Sequence, residues 1–586
     1  MPDGEDRWRG WWVALVAALV VLPVLAGAAG QLFAVGGDYS ATGDLADIEL
    51  HTRDVGHHQV ELGQYSRGDW SHPGPAQFYA MATPYRLLGS TSAAMNAAAG
   101  LINASALVGV LLIASRRGGI GLLSITAVAL AVLLSGLGPL FLVDPWNPSL
   151  PVLPFALFVF LAWDVACGGR WSIAGAAAVG TFCMQTHVGY APLVGALGVA
   201  SLVPPVVSTW RSRDRPGGDR AMRWPFVGAA AVLMVLWLPP AIQELRSGDG
   251  NLQRVARYFV DGDGEEHSLR DGWANVAVQL SPTPEWVTGD LELTPFTAEP
   301  DLGGSAPVPV LLLPVALGGV VWWRTRRRDP ILFVGVGAVT LVLSVLAVSR
   351  TLGPIYHYRL GFTRVAAMAV VVGALWAAWM LAVQRWPRSE RGVLVPAALL
   401  VLAALAATGV PRFARTGPPM EEYQEPLATL VARLEAELPE GDGAVVLRCD
   451  GDESCIYLAG LVLWFERRGV DARVDNPVGV VSSGAPHRVY RGGPVRAVLH
   501  VGIDAGFYAR ALAPGSEVLA TVGDRATEER ARLGREILAL DADYAAGRIT
   551  AEEHFFERSE GLEEMGAAVG VVLESLDAPT AYTQAS

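Results

Sequence analysis

Three carboxylates fall within six positions just after the first apolar run of the chain. They are Asp44, Asp47 and Glu49 in Gly43-Asp44-Leu45-Ala46-Asp47-Ile48-Glu49-Leu50. A carboxylate at a membrane face is costly unless it is solvated, paired or used. One held a few residues beyond a membrane helix can serve as a general base: partial desolvation raises its pKa, and neighbouring charge limits the rise. Asp44 and Asp47 are three apart and would share a face in a helical turn. With Glu49 they also offer the oxygen ligands that a hard divalent cation takes. The plainer alternative is a solvated loop with Asp44 at a helix N-cap.

Other polar residues gather at the ends of apolar runs. Tyr65-Ser66-Arg67 leads to His72-Pro73-Gly74-Pro75, a rigid turn, and then to Ala76-Gln77-Phe78-Tyr79, which reads as an interfacial helix with aromatic anchors. Arg67 and His72 form a polar pair able to hold a sugar or a phosphate. Asp144-Pro145-Trp146-Asn147-Pro148 sets a flat apolar face, Trp146, beside the paired hydrogen-bonding groups of Asn147; Trp146 serves equally as an interface anchor. Gln185 and His187 end the fifth apolar run, as packing residues or as the lining of a cavity. Arg350, Tyr356, His357, Tyr358, Arg359 and Arg364 crowd one short connection. A guanidinium binds phosphate bidentately, so Tyr358 and Arg359 are candidates for an anion site; ion pairs with Asp or Glu are the alternative.

The elements that must position these residues are apolar helices. The chain has 586 residues, 52% of them hydrophobic, and a mean hydropathy of +0.35, too apolar for one soluble domain. Its apolar runs are about 17–25 residues long, enough to cross a hydrocarbon core as helix, and they lack the alternation of a transmembrane β-barrel. The expectation is a polytopic α-helical membrane protein of about eleven spans, near residues 11–32, 93–114, 120–137, 150–166, 172–187, 191–208, 225–240, 308–323, 331–348, 365–383 and 393–408. The first run lacks a small-residue cleavage site and reads as an uncleaved helix.

Arginine distribution orients the spans. With the N-terminus cytoplasmic, Arg116-Arg117, Arg170, the 211–223 loop, Arg324 with Arg326 to Arg328, and residues 385–391 all fall inside, as the positive-inside bias requires. The loops 35–92 and 241–306 and the tail 411–586 then face outward. The expected division is a membrane module, residues 1–410, and a soluble extracytoplasmic α/β domain, residues 411–586. All 44 basic residues are Arg, which reads as base composition, and a net charge of −13 argues against a nucleic-acid partner.

In the tail, residues 444–448, 496–501 and 517–522 read as strands, and residues 457–468, 526–540 and 551–576 as helices. Strands alternating with helices imply a small α/β domain. Cys167 and Cys183 read as small packing residues. Cys449 and Cys455 flank an acidic loop, and outside the cytoplasm they are expected to pair as a disulfide.

The acidic motif of the first loop, about a dozen helices and a late outer Arg together resemble the GT-C superfamily of membrane glycosyltransferases, and the stretch Gly43-Asp44, Ile48-Glu49-Leu50, Tyr65-Ser66-Arg67, Trp70-Ser71-His72-Pro73-Gly74-Pro75, Phe78-Tyr79 and Tyr85-Arg86-Leu87-Leu88-Gly89 resembles a group of bacterial proteins placed near that superfamily. That superfamily includes protein mannosyltransferases, lipid A aminoarabinose transferases and arabinofuranosyltransferases. The likeness covers residues 1–410 and leaves the tail unmatched. Many members carry an adjacent Asp-Glu pair here, where this chain has Asp44-Leu45 with Asp47 and Glu49 further on. The resemblance implies a sugar donor on a polyprenyl phosphate, and a glycan, lipid or protein acceptor. It implies inversion at the anomeric carbon on the outer face of the plasma membrane, for cell-envelope biogenesis. Asp44 would be the base, Asp47 or Glu49 a helper or metal ligand, and Arg359 the phosphate clamp. No cofactor is required by the sequence, although a divalent cation fits the three carboxylates. The rivals are a transporter or lipid flippase, whose ionisable groups belong at mid-membrane, and a non-catalytic scaffold that presents the tail.

Overall fold

The computed structural model describes residues 3–37, 39–66, 70–211, 220–261, 267–289, 312–353, 355–386, 393–449, 456–475, 485–502, 516–522, 527–546, 548–549 and 569–574. The chain divides into two compact units. One comprises Met1–Gly36, Glu61–Ser90 and Ala94–Gly417; the other comprises Gly37–Val60, Thr91–Ala93 and Pro418–Ser586. The acidic segment thus folds with the C-terminal residues.

The first unit is helical. In a bilayer every backbone N–H and C=O must be paired within the segment, which long Ala/Leu/Val runs achieve as helix. Seven described helices are long and apolar enough to cross a membrane: Gly10–Val35, Ser92–Leu137, Val188–Val207, Trp224–Arg246, Asp329–Ser349, His357–Arg385 and Val395–Ala414. The difference from the expected eleven has two sources. Ser92–Leu137 holds two expected spans in 46 residues, bent at Gly119, whose φ of 66° and ψ of −156° fit glycine. Three other expected spans fall on the 15-residue helices Val152–Ala166 and Ser172–Thr186 and the 14-residue helix Leu312–Thr325. At 1.5 Å per residue these are only about 21–23 Å long.

The core of this unit is aromatic at one level. Phe160, Trp163, Phe333 and Trp376 meet edge to face with ring centroids 4.7–6.2 Å apart, an arrangement that the ring quadrupoles favour. Next to Trp163, the buried Asp164 carboxylate accepts from Arg116 at 2.8 Å and also binds Arg117 and Ser172. Two of the Arg residues that the sequence placed on the cytoplasmic side therefore have a carboxylate partner.

The second unit is built on a five-stranded sheet. Two short strands of the helical unit, β1 (Tyr65–Ser66) and β2 (Trp70–Ser71), precede it in the chain. The sheet strands are β3 (Ala444–Cys449), β4 (Ala472–Val474), β5 (Val495–Gly502), β6 (Ser516–Val522) and β7 (Val569–Glu574), in spatial order β4-β3-β5-β7-β6. β4, β3 and β5 run parallel, whereas β7 is antiparallel to both neighbours. The helix Leu458–Arg467 makes the β3-to-β4 crossover that a parallel pair needs.

Four expectations coincide with β3, this helix, β5 and β6, and a fifth with the helix Thr527–Ala545. The helix expected over 551–576 is wrong at its end, because Val569–Glu574 pairs as β7. Its Val-rich run favours a strand, and a 3.6-residue period read across it is misleading. Cys449 is disulfide-bonded, Cys167 and Cys183 are free thiols, and Cys455 lies outside the described residues.

The helix Gly43–Asp54 packs against Leu458–Arg467. Glycine permits the approach at two positions. A Cβ on Gly460 would stand 2.9 Å from the Ala41 carbonyl oxygen, and Gly43 takes a φ of 49° with Ile456 Cγ1 3.0 Å from where its Cβ would be.

Candidate functional site

Within the helical unit, five of the residues singled out for binding are brought together. A 3₁₀ turn, His357–Leu360, sets Arg359 at the head of the helix Gly361–Arg385. The Arg359 guanidinium carbon lies 5.2 Å from the Tyr356 ring centroid and 5.6 Å from that of Tyr358, and its Nε donates to the Tyr358 hydroxyl at 3.3 Å. These are cation–π distances. The two tyrosine rings stack at 5.5 Å, and Trp146 meets Tyr358 at 4.7 Å. Among the described residues, no carboxylate pairs with Arg359. Arg364, five residues on, is buried and pairs with Glu285 at 3.3 Å, while Gln279 donates to the same carboxylate at 2.7 Å. Of the two arginines, one is neutralised by a built partner and the other is boxed by aromatic rings.

His72 and His187 lie with ring centroids 4.8 Å apart, and the edge of Trp70 meets His72 at 5.3 Å. The Val188 N–H donates to His72 Nδ1 at 3.1 Å, and the Gly189 N–H donates to His187 Nδ1 at 3.2 Å. A ring nitrogen that accepts carries no proton, so each neutral imidazole holds its proton on Nε2, as a donor. Burial holds the His72 pKa well below its usual value, and the neighbouring His187 and Arg359 lower it further. Arg359 is thus electrostatically close to the imidazole. The arrangement offers a guanidinium, two neutral N–H donors and flat aromatic faces, which suits an anionic group attached to a ring or a chain.

Gln185 and Asn147 turn out differently. The Gln185 carbonyl oxygen accepts from the Ala76 N–H at 3.2 Å, and its amide donates to the Leu236 carbonyl at 2.8 Å. Both ends of the amide hold the backbone, so Gln185 fixes the turn that carries His72. Asn147 is buried in the 144–150 turn. Arg67 lies outside the described residues. Tyr356, noted in the same short connection, had been given no role of its own. One contributor was missed. Asn251 grips the Ser71 backbone at 2.7 and 2.8 Å from 180 residues away and carries no local signal.

In the sheet unit, the three carboxylates of the Gly43–Asp54 helix have three different surroundings. Asp44 is exposed in the first turn. Asp47 is 2% exposed, with His51 Nδ1 3.5 Å from its Oδ1. Glu49 is 0% exposed, accepts from the Ser92 hydroxyl at 2.6 Å and binds Arg467. Positions 44 and 49 differ by about 140° around a helix, so the trio does not converge. Among the described residues, the group whose His, Cys, Asp or Glu ligand atoms gather within 4.8 Å is Asp54, His58 and His487.

No family model matches the chain, and no curated protein matches it. Solved structures similar to it include two of one protein. One is ArnT from Cupriavidus metallidurans bound to undecaprenyl phosphate, at 11% identity over 87% of this chain and 96% of that one, with a TM-score of 0.49. The other is the same protein in the apo state, at 12% identity over the same shares, with a TM-score of 0.47. Likeness at this level assigns no role to any residue here.

Proposed function

We propose that the protein is an inverting membrane glycosyltransferase. It would move a sugar from a polyprenyl-phosphate donor to a cell-envelope acceptor on the outer face of the plasma membrane. The observation that carries this reading is Arg359: a cation at the head of a membrane-length helix, without a carboxylate partner among the described residues, flanked by Tyr356 and Tyr358, with Trp146 packed on Tyr358. Such a cation answers the charge that develops on a leaving phosphate, and the aromatic faces suit a sugar ring. In this reading Asp44, the exposed carboxylate of the trio, takes the proton of the acceptor hydroxyl. Glu49 has both oxygens engaged and acts as an anchor. The eleven spans, the cytoplasmic N-terminus, the outward tail and the division near residue 410 belong to the same proposal.

The test offers purified protein a panel of radiolabelled polyprenyl-phosphate sugars and follows release of the lipid phosphate. Asp44→Asn and Arg359→Ala should each lower turnover by roughly 10²-fold or more while the helical circular dichroism is kept. Full turnover in both variants refutes the proposal, and transport of the lipid across vesicles without turnover would indicate the flippase.

A further inference from the structure

A second cluster lies in the sheet unit. Asp54 ends the Gly43–Asp54 helix, His58 follows one turn later, and His487 sits in the 3₁₀ turn Pro486–Arg488. We propose that these three residues form a binding site for a borderline divalent metal of the zinc class.

The donor set comes first. Two imidazoles and one carboxylate are the ligands that Zn²⁺, Co²⁺ and Ni²⁺ take, in contrast to the all-oxygen sets of Ca²⁺ and Mg²⁺. One ligand atom from each residue already lies within 4.8 Å of the others. Ligands held about 2.0–2.2 Å from one ion are close neighbours, so a small side-chain adjustment completes the set. The rings of His58 and His487 stack at 3.7 Å and 11°, and His487 Nε2 is 3.5 Å from Asp54 Oδ1. Stacked rings point their lone pairs along parallel planes, so one must turn about χ2 to aim at a shared ion. His58 is exposed and can do so.

The surroundings favour a cation. Arg488 donates to Asp54 at 2.7 and 2.9 Å and to Glu466 at 2.7 and 3.2 Å. Two carboxylates therefore face one guanidinium, an excess of one negative charge. Each Asp54 oxygen accepts one of these bonds and keeps a second lone pair. Arg488 thereby orients the carboxylate as outer partners orient metal ligands. Arg473 binds the His487 carbonyl and pins the turn.

Co²⁺ added to full-length, chelator-treated protein without a polyhistidine tag should give visible d–d absorption at one equivalent, which Zn²⁺ then quenches. His58→Ala and His487→Ala should each weaken binding by more than the roughly 10–100-fold that losing an outer-sphere partner costs. His57→Ala, the exposed neighbour, should leave it unchanged. His58 is exposed, so its variant tests the site even if His487→Ala misfolds. A missing Co²⁺ band, or equal losses in the His57 and His58 variants, overturns the site.

Discussion

Arginines in the two units have different surroundings, and the contrast separates holding from acting. In the sheet unit, Arg488 is buried between Asp54 and Glu466, and Arg467 binds Glu49 and Ser92. In the helical unit, Arg364 has Glu285, while Arg359 has only aromatic rings and a tyrosine hydroxyl among the described residues. A buried charge pair is costly to break but contributes little net stability over an apolar replacement. A partly exposed cation without a counter-charge remains able to meet an anionic ligand. Arg359 is accordingly the residue on which activity should depend, and Arg488 the one on which folding should depend.

The largest effect should be on stability. Arg488→Leu leaves Asp54 and Glu466 facing each other without a counter-ion, and removing one member of a buried pair costs about 3–5 kcal/mol. Thermal melting should show this, and Arg359→Leu should leave the melting temperature close to wild type. If Arg359→Leu melts as early as Arg488→Leu, Arg359 is structural and the contrast collapses. In turnover the order should reverse. Loss of one preorganised donor to a developing anion costs roughly 10²–10³-fold in kcat, so Arg359→Ala should fall by that much, with Arg359→Lys recovering part of it through its charge. A smaller loss should follow Trp146→Phe, which keeps a flat face of reduced area. Aromatic pairs contribute about 0.5–1.5 kcal/mol beyond burial, so KM should rise by about tenfold or less with kcat nearly unchanged.

Much of this contrast was legible in the sequence, and the limits have physical causes. Apolar length and composition located the helices, because a bilayer leaves no other way to pair the backbone. The aromatic-basic connection at 356–359 stood out because basic residues are unusual there. The three nearby carboxylates stood out as a group, but their different surroundings did not, since proximity in sequence fixes only the angle around a helix. The partners of Asp54 and Glu49 lie 434 and 418 residues away, beyond any local period. β7 escaped for the same reason: its strand character comes from pairing with β5 and β6 more than from its own alternation.

The smallest effect sharpens the comparison by pH. His487 is half-buried beside Arg488, and burial first, then the Arg488 charge, lowers its pKa to about 4, with Asp54 opposing the shift. An unfolded histidine titrates near 6.5. Between roughly pH 6.5 and 4 the unfolded chain therefore binds a proton that the folded chain refuses, and stability must fall as pH falls through that window. Above about pH 6.5 the contribution is fully present, and below about pH 4 both states are protonated and the loss levels off. His487→Asn removes the titration. Its melting temperature should decline less than wild type between pH 7 and pH 5 in the presence of chelator. Parallel pH slopes for the two proteins would mean that the imidazole is not held neutral, and the charge balance around Arg488 would have to be redrawn.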